Sequence, residues 1–216
     1  SAICTSDLHI INGAVPRYIP STVLGHEFTG EVIEVGESVT KLKIGDRVAA
    51  NCITFCGECW FCRHGFINNC INGGWELGCR IDGGQAEYVR IPYADSSLNK
   101  IPDNVSYDSA LFVGDILSSG YFAADGLDIK KGDCVAVIGA GLCAMMCAKY
   151  LSAETIIAID IDEHRLDFAK KFADYIINPN EVNIEQRIKD ITPYGADGVI
   201  EAAGGNNTFC LLYTSD

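Results

Sequence analysis

The sequence predicts an α/β chain in which a mostly β domain precedes a doubly wound parallel sheet. Three observations carry this. Short β-like runs cut by glycine and asparagine turns fill the first part, apolar strands alternate with helical patterns in the second, and the rhythm changes near residue 120. The expected domains are 1–120 and 121–216.

In the first domain, Gly30–Val35, Arg47–Ala50 and Ala86–Ile91 read as strands. Asn72-Gly73-Gly74 and Asp82-Gly83-Gly84 read as turns between them. In the second domain, Cys134–Ile138 is an apolar run suited to a strand buried on both faces. Leu142–Leu151 reads as a helix, Thr155–Asp160 as a second buried strand and Glu163–Phe172 as the next helix. Tyr175–Ile177 follows as a strand, Glu181–Ile191 as a helix with Ile184 and Ile188 at helical spacing, and Asp197–Ala202 as a strand. Two complete mononucleotide-binding halves use six strands, and only about four are legible here. Metal-type residues begin already at Cys4, so both ends read as cut. The tail Cys210–Asp216 shows no helical periodicity and is expected to be foreign sequence.

Composition narrows the partners. A net charge of −13 repels phosphate backbones and anionic membrane surfaces, which argues against nucleic-acid and membrane partners. The nearly apolar run Cys134–Ala148 is too short to span a bilayer, and no signal-peptide pattern opens the chain. A cytoplasmic setting is expected. Eleven cysteines are an odd number, and their clustering suits metal binding better than disulfides.

Cys56, Cys59, Cys62 and Cys70 follow C-x2-C-x2-C-x7-C. Four thiolates so spaced can surround one zinc ion tetrahedrally, and a filled shell makes the ion structural. Gly57 and Gly65 let the chain turn around it. An iron–sulfur site or four reduced thiols are the competing readings, and Cys52 falls outside the set as a buried residue. A second group is dispersed: Cys4, His26 with Glu27, and Asp115. One thiolate, one imidazole and one carboxylate suit a catalytic zinc with a fourth position open. Taken singly, however, each of them fits an ordinary packed or capping residue.

Gly139-Ala140-Gly141-Leu142-Cys143-Ala144 follows a strand and opens a helix, the context of a dinucleotide-binding turn. Asp160 ends the next strand some 20 residues later, where a carboxylate accepts from both ribose hydroxyls and repels a 2′-phosphate, so NAD is expected over NADP.

The combination of Cys4-x-Ser6-Asp7-x-His9, Gly25-His26-Glu27, the four-cysteine lobe, Asp115-x-x-Ser-Ser-Gly120 and Gly139-x-Gly141 resembles the zinc-dependent medium-chain alcohol dehydrogenases, in order as well as content. The resemblance runs from residue 1 to about 208. It implies a GroES-like first domain and an incomplete Rossmann second domain. It implies that Cys4 and His26 bind catalytic zinc, with Asp115 where many members carry a second cysteine. That substitution resembles the branch of secondary alcohol and formaldehyde dehydrogenases. Glu27 becomes a neighbouring partner or exchangeable ligand, Ser6 and His9 fall at proton-relay positions, Ser119 flanks the nicotinamide and Arg165 contacts the adenosine ribose. The implied reaction is reversible hydride transfer between a small alcohol, secondary or polyol, and NAD, with two zinc ions per chain. The implied whole protein is a homo-oligomer, a dimer or a tetramer. A threonine or formaldehyde dehydrogenase and an inactive zinc-stabilised fragment are the alternatives. Trp75 and Cys79 are candidates for the pocket lining.

Overall fold

A computed structural model of the chain describes residues 1–205 and Thr208. The expectation for the Cys210–Asp216 tail lies outside these residues. The chain forms two compact units, the first spanning Ser1–Asp115 and the second beginning at Ile116.

The first unit contains α1 (Thr5–Ile11), β1 (Thr29–Glu31), β2 (Arg47–Ala50), α2 (Trp60–Arg63), α3 (Ala94–Ser97), β3 (Leu98–Lys100) and α4 (Tyr107–Leu111). The three strands form an antiparallel sheet in the order β1-β2-β3, with Gly30 opposite Val48 and Val48 opposite Lys100. β2 is the central strand, and Val48, Ala49 and Ala50 are all buried. Val48 packs with Val32 and Leu42, and Ala50 with Phe28 and Leu77.

Two strand expectations need correction. The run Gly30–Val35 is strand only as far as Glu31, because Val32 bonds two different residues ahead of β2, donating to Asp46 O and accepting from Gly45 N, which breaks the regular ladder. Ala86–Ile91 pairs in no named strand. Its alternation satisfies period 2, and Val89 and Ile91 pack against Phe28, Ala50 and Leu77, but no ladder of backbone bonds pairs it. The preceding residues are held instead by single bonds from Gly84 N to Gly25 O and from Gln85 N to Leu24 O, and Tyr88 is exposed. β3 was not anticipated, since Leu98-Asn99-Lys100 carries no β-branched or aromatic residue.

Val113–Leu117 forms a π turn, a wide coil often found at functional positions. The second unit then contains α5 (Ser118–Asp125), β4 (Cys134–Ile138), α6 (Leu142–Tyr150), β5 (Thr155–Ile159), α7 (Glu163–Ala169), β6 (Tyr175–Ile177), α8 (Ile184–Ile191) and β7 (Gly198–Glu201). The strands form one parallel sheet in the order β6-β5-β4-β7, as the alternation of strands and helices requires. All five residues of β4 are buried, because both sheet faces are covered. Val135 and Val137 pack with Met145, Ala148 and Ile156 on one face, and Ala136 and Ile138 with Ile157 and Ile159 on the other, where Ile184 and Ile188 of α8 cover them. Asn183 caps α8 by accepting from Gln186 N at 2.9 Å. The strand order reverses direction between β4 and β7, and open parallel sheets bind ligands at the carboxyl ends of strands at such a point. Among the described residues, no helix is long and apolar enough to cross a membrane.

Candidate metal centres and nucleotide turn

The lobe cysteines converge. Sγ–Sγ distances are 3.5 Å for Cys59–Cys62, 3.6 Å for Cys56–Cys70 and 4.0 Å for Cys56–Cys62. Two thiolates about 2.3 Å from one zinc at a tetrahedral angle stand roughly 3.8 Å apart, whereas a disulfide needs about 2.05 Å. The spacing therefore fits four ligands of one ion, and every described cysteine is a free thiol. Local backbone geometry prepares the site. Cys59 is the N-cap of α2, so Cys62 returns one turn later, and Gly57 takes φ +76° to turn the chain back. Cys59 N donates to Cys56 Sγ at 3.4 Å and Cys56 N to Cys70 Sγ at 3.3 Å. Such amides favour the thiolate form, and those of Glu58 and Cys59 bring Cys56 down to about 6.

The dispersed residues also meet. Cys4, His26, Glu27 and Asp115 offer ligand atoms that all lie within 4.8 Å of one another. His26 Nε2 is 3.2 Å from Asp115 Oδ2, and Cys4 Sγ is 4.0 Å from that same oxygen. Ligands about 2.0–2.3 Å from a tetrahedral zinc stand roughly 3.3–3.6 Å apart, so small adjustments close this set around one ion. Three segments deliver it. Cys4 sits at the N-terminal end of α1, His26 and Glu27 precede β1, and Asp115 lies within the π turn. Gly114 makes the last placement possible: a Cβ there would stand 1.8 Å from the Ala50 carbonyl oxygen.

The surroundings are short of positive charge. Burial lowers the His26 imidazole, but the Asp115 hydrogen bond and nearby carboxylates outweigh it, and the group ends above its ordinary range. Burial raises the Cys4 thiol and the Glu27 carboxyl. Cys52, expected to be a plain buried residue outside the lobe set, is half-buried and bonds Asp115. Burial and that carboxylate push it up to about 12. Ser6 Oγ is 3.6 Å from Cys4 Sγ, while His9 lies exposed on α1 outside the cluster. The Trp75 indole meets the His26 ring edge-on at 5.6 Å, whereas Cys79 is fully buried in the core.

Sequence reasoning gave Asp7 no role, although its motif was noted. Asp7 is 1% exposed, and its Oδ1 faces His26 Nδ1 at 3.7 Å. A carboxylate on the far nitrogen of a metal-binding histidine fixes the tautomer that leaves Nε2 as the ligand. Its position three residues after Cys4 on a helix start was the available signal.

In the second unit, Gly139 adopts φ +89° at the end of β4, where a Cβ would stand 2.6 Å from Ala203 N. Ala140 follows at φ +44°, and Gly141 with Leu142 opens α6. Ala144, at the third position of the turn motif, is buried. Gly120 of α5 lies against this helix start, where a Cβ would stand 2.8 Å from Ala144 N. Asp160 ends β5 and is 7% exposed. Its Oδ1 accepts from Asp162 N at 2.9 Å, and its buried Oδ2 has no hydrogen-bond partner, lying 3.7 Å from Arg165 Nη1. A buried acceptor left for a ligand is what a ribose-binding carboxylate requires, so the residues fit a dinucleotide. Ser119 is exposed on α5.

A mixed cluster of metal-type side chains and a glycine turn fit for a nucleotide, on one chain, are the combination that metal-dependent dehydrogenases use. Comparison with known proteins agrees. Residues 1–103 match the alcohol dehydrogenase GroES-like domain, and residues 139–214 match the zinc-binding dehydrogenase family. The chain belongs to the zinc-dependent medium-chain alcohol dehydrogenase family. It is 37% identical to the zinc-type alcohol dehydrogenase-like protein AdhB of Bacillus subtilis, over 94% of this chain and 59% of that protein. It is also 37% identical to a sorbitol dehydrogenase of the same organism, over 94% of this chain and 59% of that one. A medium chain reductase/dehydrogenase of Acremonium is 33% identical, over 94% of this chain and 74% of the relative. Among solved structures, the alcohol dehydrogenase TADH from Thermus is 40% identical with a TM-score of 0.90, over 98% of this chain and 63% of that chain. A zinc-binding dehydrogenase from Sinorhizobium meliloti bound to NADP is 30% identical with a TM-score of 0.85, over 96% of this chain and 61% of that chain. The chain thus spans about 59% of the length of the first of these relatives.

Proposed function

We propose that the whole protein is a zinc-dependent, NAD-linked dehydrogenase acting on a secondary alcohol or polyol. The observation that carries this is the meeting of Cys4, His26, Glu27 and Asp115 within 4.8 Å, from segments far apart in sequence. The similarity to a sorbitol dehydrogenase supports the polyol arm of the reading.

Cys4, His26 and Asp115 would hold the catalytic zinc, and Cys56, Cys59, Cys62 and Cys70 the structural one. Gly139, Ala140, Gly141 and Leu142 would face the pyrophosphate with amides at the start of α6, where the helix dipole favours an anion. Asp160 Oδ2 would accept the ribose hydroxyls. Its negative charge, buried beside Arg165, disfavours a 2′-phosphate and supports NAD over NADP. Ser119 would contact the nicotinamide.

Bound zinc supplies Lewis acidity, and the nicotinamide supplies the hydride acceptor. The chain's own groups do the rest. Asp7 holds His26 in the tautomer that presents Nε2. Cys4 and Asp115 bring two negative charges to the divalent ion and leave the centre near neutral. Ser6, next to Cys4, would accept a hydrogen bond from the substrate hydroxyl, and His9, exposed on α1, would be placed to exchange a proton with solvent. Glu27 is a carboxyl held in reserve, its burial favouring the protonated form.

The test is metal and turnover together. The longer protein should carry two zinc ions per chain and oxidise secondary alcohols or polyols with NAD. A protein that holds zinc only in the lobe, and turns over none of these substrates, would defeat the proposal.

A further inference from the structure

Gln85 offers no metal ligand, yet its side chain reaches the carboxylate that supports the metal cluster. Gln85 Nε2 donates to Asp7 Oδ2 at 3.0 Å, and the same oxygen accepts from Cys4 N at 3.0 Å. The other oxygen, Oδ1, faces His26 Nδ1 at 3.7 Å, and both of those atoms are buried without any closer hydrogen-bond partner. The Gln85 backbone is tied in as well. Its N–H donates to Leu24 O, and a Cβ on Gly25 would stand 2.7 Å from Gln85 Cγ. One residue thus touches the segment that delivers His26 and the carboxylate that orders Cys4.

We infer that Gln85 is a positioning residue for the Cys4–His26–Asp115 metal centre, acting through Asp7. By donating to Oδ2, its amide pins the carboxylate so that Oδ1 remains for the Nδ1–H of His26, and Nε2 is left to face the metal. An amide suits this place because it donates without charge. A cation would neutralise Asp7, and an apolar side chain would leave Oδ2 free to swing toward His26. The inference rests on the zinc reading of this cluster. Outer partners of metal ligands are worth roughly 10- to 100-fold in metal affinity. Gln85 stands one hydrogen bond further out and lies at the surface, so an effect of about tenfold, the low end of that range, is expected.

The experiment measures zinc affinity of this chain by chelator competition and, after cobalt substitution, the visible d–d spectrum. Gln85→Met keeps the length of the side chain and removes the donor. It should weaken the dispersed centre about tenfold and shift the cobalt bands, while the lobe metal and the circular dichroism stay unchanged. Because Gln85 works through Asp7, adding Gln85→Met to Asp7→Ala should cost almost nothing further. Gln85→Glu replaces the donor by a like charge and should weaken the centre at least as much, which keeps the test open if the Met variant folds poorly. Wild-type affinity in either folded variant, or full additivity in the double mutant, overturns the inference while leaving the zinc reading intact. A wild-type chain that binds metal in the lobe alone overturns both.

Discussion

Replacing Gly114 by alanine should strip the metal from the dispersed centre and leave the lobe metal in place. The new Cβ would stand 1.8 Å from the Ala50 carbonyl oxygen, whereas real Cβ atoms keep at least 3.0 Å, so the chain must move by 1.2 Å (3.0 minus 1.8). Gly114 directly precedes Asp115, and its carbonyl accepts from Cys52 N at 3.1 Å, so the shift passes straight to the third ligand. Metal–ligand distances tolerate about 0.2 Å, several times less than this displacement. Overpacking of this kind costs typically about 1–3 kcal/mol, against a total stability of about 5–15 kcal/mol, so the unit should still fold. Metal analysis of the purified variant by mass spectrometry should read one zinc per chain where the parent reads two. Two tightly held zinc ions in Gly114→Ala would refute the idea that backbone contact at this glycine aims Asp115.

Three further outcomes are expected. Cys4→Ala should also halve the zinc content, sparing the lobe, and abolish most turnover in the longer protein; unchanged zinc content would remove Cys4 from the ligand set. Asp160→Ala removes a charged acceptor worth about 1.5–3 kcal/mol, so NAD affinity by calorimetry should fall roughly 10- to 150-fold, and an unchanged dissociation constant would count against Asp160 as the ribose contact. Burial, with Asp197 and Asp174 nearby, pushes the Cys134 thiol up to about 11 from an ordinary 9.0. Above pH 9 the unfolded chain loses this proton while the folded one keeps it, so the thiol lowers stability between pH 9 and 11 and has no effect below. Thermal melts should fall across that window, and less steeply in Cys134→Ala; identical slopes would show that Cys134 is not the group responsible.

What the sequence discloses depends on how local the cause is. Cys134–Ile138 is legible because a strand buried on both faces must be apolar throughout, and the structure buries all five residues. The lobe is legible because its four cysteines sit within one short stretch of chain. Ala86–Ile91 misled because alternation describes one strand and says nothing of a partner, and a strand exists only when another backbone lies beside it. Asp115 is readable as a ligand type, but spacing alone does not join it to His26, since its approach depends on a π turn and on contact between Gly114 and Ala50. Gln85 carried no signal at all, because its one side-chain partner, Asp7, lies far along the chain.

The arrangement around His26 has an electrostatic logic of its own. Asp7, Glu27, Asp115 and Cys4 surround a single imidazole in a largely buried pocket. Burial displaces Cys4, Glu27 and Cys52 upward toward their protonated forms, and the neighbouring carboxylates raise His26 against the effect of its burial. A divalent cation reverses this balance, because it offers two positive charges to the thiolate and carboxylate that burial alone would disfavour. A cation held there would join the helix start, the loop before β1 and the π turn to one another. Metal affinity at this centre would therefore also be folding energy for the three segments that meet there. On that argument the acidic crowding is not a cost that the fold tolerates but the means by which a divalent ion orders it.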